Sequence, residues 1–307
     1  MKKVLIATEK PFAKTAVEGI RKIVADAGYE TVLLENYTEK EQLLRAIKDV
    51  NAVIIRSDKI DKDVIGASQN LEVVVRAGAG YDNVDIEAAS AKNIVVMNTP
   101  GQNSNAVGEL AIGLMLYAAR NYFSGSLGTE LRGKTLGLYA LGNTAKYLAK
   151  AAKGLGMDVY AYAPTKEDGY LDAEGVKRAL SPEDLFSKCQ YVSLHMPYKA
   201  QTKECITYEL LQRMPKNATL INTARKEVIQ EEGLLKMFAE RKDFKYVSDI
   251  QPNNKEAIDN VSDNRMYCTP KKMGAQTAEA NTNAGLAAAT QIVGLFKNND
   301  RTYQVNK

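Results

Sequence analysis

The chain has 307 residues, 45% hydrophobic and 25% charged, with no Trp and a single His. That length suggests about two domains with a core large enough to need no staples, and the composition excludes collagen, a disulfide scaffold and wholesale disorder. The 41 basic and 37 acidic side chains are interspersed and net +4. This is the pattern of an ordinary surface rather than one that binds nucleic acid.

One histidine rules out a His-rich zinc centre or an H-E-x-x-H protease. Cys189, Cys205 and Cys268 fit no C-x-x-C spacing, so no metal site is expected and the thiols are read as reduced in a cytoplasmic protein. The opening MKKVLIATEKPF has too few apolar residues for a signal sequence and reads as a first strand. No stretch reaches the ~18 apolar residues of a membrane span.

In chain order, Val4–Ala7 predicts a strand, 12–27 a helix, Thr31–Leu34 a strand and 39–49 a helix. Strands follow at Ala52–Ile55, Glu72–Val75 and Ile94–Val96, then Thr99-Pro100-Gly101 breaks the pattern before an apolar helix over 104–120. A second series begins at Thr135. Its strands are Thr135–Tyr139, Asp158–Tyr162, Tyr191–Leu194, Thr219–Ile221, Lys245–Ser248 and Met266–Cys268, and an Ala-rich helix over 276–297 closes it. Such alternation predicts an α/β protein with two doubly wound, parallel-sheet (Rossmann-like) domains. Ligands of these sheets bind beyond the carboxyl ends of the strands.

Between the strand at 135–139 and the next helix runs Ala140-Leu141-Gly142-Asn143-Thr144-Ala145. This is the place of a G-x-G-x-x-G dinucleotide loop, but only the middle glycine remains. Gly142 would let the backbone approach a pyrophosphate held by the helix N-terminus. Alanine at the first position predicts a negative φ at Ala140.

Three further segments are R-A-G-A-G-Y-D-N-V-D at Arg76–Asp85, N-T-P-G-Q-N-S at Asn98–Ser104 and E-L-A at Glu109–Ala111. To these are added E-L-R-G-K-T-L-G at Glu130–Gly137, S-L-H-M-P at Ser193–Pro197, I-N-T-A-R at Ile221–Arg225 and G-A-Q-T with Glu279-Ala280. Together they resemble the D-isomer-specific 2-hydroxyacid dehydrogenase family, in family order over about 52–285. Within it, the first two segments are most similar to the short phosphoglycerate dehydrogenase branch.

The resemblance implies a substrate domain of 1–100 and 277–307, with a dinucleotide-binding domain of 101–276 inserted into it. It also implies a homodimer and oxidation of a phosphorylated hydroxy acid, 3-phospho-D-glycerate, to 3-phosphohydroxypyruvate. Arg225 falls at the family's catalytic arginine, whose planar fork suits a carboxylate. Arg56, Ser57, Arg76 and Asn103, with the backbone of Ala77, Gly78, Ala79 and Gly80, fall at substrate positions. Gly142, Asn143, Thr144, Ala163, Pro164, His195, Met196, Pro197, Thr202, Thr223, Ala224, Arg225, Asp249, Lys272 and Gly274 fall along the cofactor.

The sequence departs from the family at the acid/base. Where most members carry T-P-H-x-G, this chain has Thr269-Pro270-Lys271-Lys272-Met273-Gly274, and Asn254 replaces the glutamate that partners the histidine. Lys272 takes the histidine's place counting back from Gly274; Lys271 does so counting forward from Pro270. His195 lies in a cofactor-lining motif and is expected to act there. The ribose-binding acid is replaced by Ala163, and although Lys166 could attract a 2′-phosphate, Glu167 and Asp168 follow at once, so NAD is expected with NADP not excluded. Two alternatives remain open: another D-2-hydroxyacid or glyoxylate/hydroxypyruvate reductase, and a non-catalytic cofactor- or metabolite-binding protein.

Overall fold

A computed structural model describes residues 1–306. The chain divides into two units, Met1–Asn103 with Gln276–Lys307 and Ser104–Ala275.

The first unit runs β1 (Lys3–Thr8), α1 (Lys14–Asp26), β2 (Glu30–Glu35), α2 (Lys40–Ala46), β3 (Ala52–Ile55) and α3 (Lys62–Ala67), then β4 (Val73–Arg76), α4 (Ile86–Ala91) and β5 (Val95–Asn98). Its five strands are parallel in the order β2-β1-β3-β4-β5. The order reverses between β1 and β3, so the loops after these strands flank its crevice.

The second unit begins with α5 (Ser104–Ala119), β6 (Thr135–Tyr139), α6 (Asn143–Gly154) and β7 (Asp158–Tyr162). It continues with α7 (Asp168–Ala173), β8 (Lys177–Arg178), α8 (Pro182–Lys188), β9 (Tyr191–Leu194), α9 (Tyr208–Gln212) and β10 (Thr219–Asn222). It ends with α10 (Glu231–Glu240), β11 (Lys245–Ser248), α11 (Lys255–Ser262) and β12 (Met266–Cys268). The seven strands follow the order β12-β11-β10-β9-β6-β7-β8, all parallel. Here the reversal lies between β6 and β9.

Central strands such as β3, β9 and β10 are buried at every residue. Helices cover both faces of a parallel sheet, so its strands read as unbroken apolar runs. Charged two-residue β8 has no such run and gives no sequence signal. The expected helix over 39–49 ends at Ala46, and that over 12–27 spans Lys14–Asp26.

The last helix, α12 (Ala278–Asn298), returns to the first unit and packs on α1. Gly19 and Gly285 let them close: a Cβ at Gly19 would fall 2.5 Å from Leu286, and one at Gly285 3.0 Å from Ile20. The chain end then lies along β5. Val305 N donates to Val96 O at 2.8 Å, Val96 N to Asn306 Oδ1 at 2.7 Å, and Asn306 Nδ2 to Ile94 O at 2.8 Å.

Candidate active site

In the second unit the glycine loop leaves β6 at the reversal point. Gly142 caps α6 with an extended backbone, and a Cβ built on it would meet no atom within 4 Å. Its value is therefore clearance for a ligand against the helix N-terminus, where backbone N–H groups and the dipole favour a phosphate. Ala145, in place of the third glycine, is fully buried in the core between α6 and the sheet.

Ala140 overturns the expectation from sequence: its φ is +77°, in the left-handed region. A side chain there costs about 1–2 kcal/mol relative to a right-handed conformation. The turn persists because Ala140 N donates to Tyr162 O at 2.9 Å and His195 N to Tyr139 O at 3.0 Å, fixing the loop between two strand ends.

Across the reversal, the residues just beyond three adjacent strands each carry a buried polar atom with no partner: His195 Nε2 after β9, Thr223 Oγ1 after β10 and Asp249 Oδ1 after β11. Buried polar groups are normally paired, so this row offers hydrogen-bonding capacity that a ligand at the strand ends could fill. Burial lowers the His195 pKa to about 4, leaving the imidazole neutral at pH 7. Met196 is buried and Pro197 exposed, and Pro197 O accepts from Thr202 Oγ1 at 2.7 Å.

Beyond β7, Ala163 is 2% exposed and faces the core, while Pro164 to Asp168 are exposed. Arg178 bonds to Lys166 O at 2.5 Å and to the Asp168 carboxylate. Arg178, on β8, is thus tied to the backbone and acid of the loop after β7. Asn143 is exposed and Thr144 half-buried on the first turn of α6.

The residues expected to react lie together at the β10 and β12 ends. Asn222 accepts from Ala224 N at 2.9 Å and donates to Arg225 O at 3.0 Å, shaping the turn that carries Arg225. Arg225 Nη1 donates to Ala224 O at 2.9 Å, and Lys272 Nζ donates to the same carbonyl at 3.1 Å. Guanidinium and ammonium therefore share one acceptor.

The segment carrying Lys272 is held by Asp249, whose Oδ2 accepts from Gly274 N at 2.9 Å and Met273 N at 3.3 Å. Burial raises the Asp249 pKa, against the opposing pull of these N–H groups and of Lys272. Both lysines are exposed; what differs is that the Lys271 carbonyl accepts from Thr269 Oγ1 at 2.8 Å, whereas the Lys272 ammonium bonds to Ala224 O. Asn254 N, with Asn253 N, donates to the Glu231 carboxylate at 3.0 and 2.7 Å, while Asn254 Oδ1 is buried without a partner.

The substrate positions expected in the first unit surround the ends of β3 and β4. Arg76 Nε donates to Arg56 O at 3.0 Å. The Arg76 guanidinium lies against Gly78, where φ is +149° and a Cβ would fall 1.4 Å from Nη1. Ala77 is buried, Ala79 exposed and Gly80 half-buried; Gly78 O accepts from Thr99 N at 2.9 Å and Ala79 O from Asn98 Nδ2 at 2.6 Å.

Arg56 is drawn inward. Its Nη1 donates to Lys10 O and Pro11 O at 3.2 and 3.1 Å, its Nη2 to Asn281 Oδ1 at 2.6 Å, and its guanidinium is 5.4 Å from the Phe12 ring centroid. Nε–H and the second Nη2–H are outside these bonds. Ser57 is exposed and Asn103 half-buried. Sequence reasoning missed Asp58, Asn83 and Glu231, which organise loops. An Asp three residues past a strand and an Asn in Y-D-N were the available turn signals.

Among the described residues no cluster could hold a metal ion and no helix is long and apolar enough to cross a membrane. The NAD binding domain model of D-isomer specific 2-hydroxyacid dehydrogenases matches residues 113–271. A hydroxypyruvate reductase of Thermotoga maritima is 34% identical over 286 residues, 86% of this chain and 90% of that protein. A D-3-phosphoglycerate dehydrogenase of Methanocaldococcus jannaschii is 36% identical over 273 residues, 82% of this chain. The chain spans about half the length of that relative (51%) and of the human one (56%). The solved NAD+-bound 3-phosphoglycerate dehydrogenase of Entamoeba histolytica superposes with a TM-score of 0.89 at 45% identity, covering 100% of this chain and 99% of that one. The chain belongs to the D-isomer-specific 2-hydroxyacid dehydrogenase family, and its second unit contains an NAD-binding domain.

Proposed function

We propose that this chain oxidises 3-phospho-D-glycerate to 3-phosphohydroxypyruvate with NAD, using Arg225 as the carboxylate and carbonyl clamp and Lys272 as the acid/base. The observation that carries this reading is the Ala224 carbonyl shared by Arg225 and Lys272. It supports a guanidinium fork and a proton-transferring amine acting on one reacting centre. The fork holds the substrate carboxylate and polarises the forming ketone. The lysine takes the hydroxyl proton in oxidation and returns it in reduction. NAD supplies the two-electron acceptor for the carbon–hydrogen bond. Lys272 fits the role better than Lys271 because its ammonium is the one that bonds to the Ala224 carbonyl beside Arg225.

The two arginines at the β3 and β4 ends, with the backbone of Gly78 to Gly80, favour a substrate carrying a second anion. The direct test compares NAD reduction by 3-phosphoglycerate, D-glycerate and D-lactate, with the matching oxo acids in reverse. We expect kcat/KM for the phosphorylated acid to lead by at least about tenfold. A lead for the unphosphorylated acids would transfer the function to hydroxypyruvate reduction. That second reading is favoured by the near full-length match to the Thermotoga protein.

The same reading includes a homodimer through the second unit, where Phe123 is 70% and Leu127 96% exposed on the segment after α5. Light scattering that finds a monomer at assay concentrations would overturn it.

A further inference from the structure

We propose that Asp58 is a positioning residue for the substrate anion clamp of the first unit, aiming both Arg56 and Arg76; the inference rests on the reading of these arginines given above. Asp58 belongs to none of the motifs that carry the family resemblance, yet it is 2% exposed. Its carboxylate collects donors from three loops. Oδ1 accepts from Glu9 N after β1 at 2.6 Å and from Tyr37 Oη after β2 at 2.8 Å; Oδ2 accepts from Arg56 N after β3 at 3.1 Å.

Two of these bonds lead on to a guanidinium, while the Tyr37 bond ties in the loop after β2. The Glu9 bond fixes the backbone whose next two carbonyls, Lys10 O and Pro11 O, hold Arg56 Nη1. The Arg56 N bond fixes the residue whose carbonyl accepts from Arg76 Nε. Asn83 Nδ2 closes the arrangement from the β4 side, donating to Asp58 O at 2.7 Å and Arg56 O at 3.3 Å. A buried carboxylate is stable only when its acceptor capacity is filled. Here the groups that fill it are the loops flanking the crevice where β1 and β3 part. Thr8 Oγ1, buried at the end of β1, has no partner.

Asp58→Asn keeps the shape but turns one acceptor into a donor. Its amide then faces either Arg56 N or the pair of donors from Glu9 and Tyr37, so one loop must shift. The test uses the full-length enzyme with 3-phosphoglycerate and D-glycerate, alongside NAD affinity measured by fluorescence. Asp58→Asn is expected to raise KM for 3-phosphoglycerate about tenfold with kcat within about threefold. Preference for the phosphorylated acid should fall in parallel, and NAD affinity should be unchanged.

Tyr37→Phe removes one donor only and should move the same preference a few-fold; it carries the test if Asp58→Asn does not fold. Equal losses for both substrates, or an unchanged preference, would reduce Asp58 to a scaffold residue and overturn the inference. An Arg56→Ala control separates the failures. If that control raises KM while Asp58→Asn does not, the inference alone falls; if it leaves KM unchanged, the clamp reading falls and takes the inference with it.

Discussion

The carboxyl edge of the five-stranded sheet is laced by a buried carboxylate and two arginines, whereas that of the seven-stranded sheet sets an unpartnered buried polar atom just beyond each of three adjacent strands. In the first unit Asp58, Asn83, Asn98 and both arginines bond across neighbouring loops, although the Thr8 and Thr99 hydroxyls and Glu35 Oε1, at the end of β2, stay without partners. In the second unit the unpartnered atoms form a row, one after each of β9, β10 and β11. The difference fits the two tasks proposed above. An edge that grips small anions needs its cations aimed beforehand, since ordering them during binding costs affinity. An edge that takes a large cofactor can leave its hydrogen bonds to be completed by that cofactor, at the cost of burying polar atoms meanwhile.

Five substitutions test this contrast. Lys272→Ala should lower kcat by about 10²–10⁴ while NAD affinity stays within a few-fold; Lys271→Ala should keep most of the rate. Similar losses in both variants, measured by steady-state kinetics and cofactor titration, would remove the distinction drawn from the Ala224 carbonyl.

Next in size is an acid-side loss of stability from His195. Its pKa is about 6.5 when unfolded and about 4 when folded. Above pH 6.5 both states are neutral and the residue contributes no pH dependence. Between pH 6.5 and 4 the unfolded chain binds a proton that the folded chain refuses, so stability falls, by up to about 3 kcal/mol. Urea unfolding at pH 7 and pH 4.5 should show a smaller drop in His195→Asn than in the parent, and an identical drop would clear His195. That variant should also keep most of the catalytic rate at pH 7.

In the first unit, Gly78→Ala forces a Cβ to within 1.4 Å of Arg76 Nη1. It should raise substrate KM by about tenfold or more and spare NAD binding. Loss of NAD binding would show that the damage spreads beyond the anion loop. The smallest effect is a gain: Ala140→Gly relieves a left-handed alanine and should stabilise the chain by about 1 kcal/mol. Calorimetry should find the higher-melting transition in the variant; a lower one would mean that the alanine side chain contributes packing that outweighs its backbone strain.

The strands were legible because parallel sheets buried on both faces leave continuous apolar runs. Ala52–Ile55, Thr135–Tyr139 and Tyr191–Leu194 have the same bounds in sequence and structure. Short α3, α7 and α9 went unseen, since five or six residues barely complete a helical period. At the candidate site, motif spacing singled out Arg225 and the Lys271-Lys272 pair, but spacing could not say which lysine turns toward Ala224. Side-chain direction depends on Asp249 binding the backbone of Met273 and Gly274, a contact between distant segments. Ala140 was misread for a related reason: two strand ends clamp its backbone and override the residue's own preference.

Asn306, seated on the edge of β5, bears on how the molecule is made. The five-stranded sheet has all its strands by residue 98, yet its outer strand is not covered until Val305 and Asn306 have been made. During synthesis the second unit, an uninterrupted segment, can complete itself while that edge still offers unpaired amides to any passing strand. The tail, together with α12, thus acts as a late latch. A chain truncated before Gln304 should keep a folded second unit and aggregate through the first.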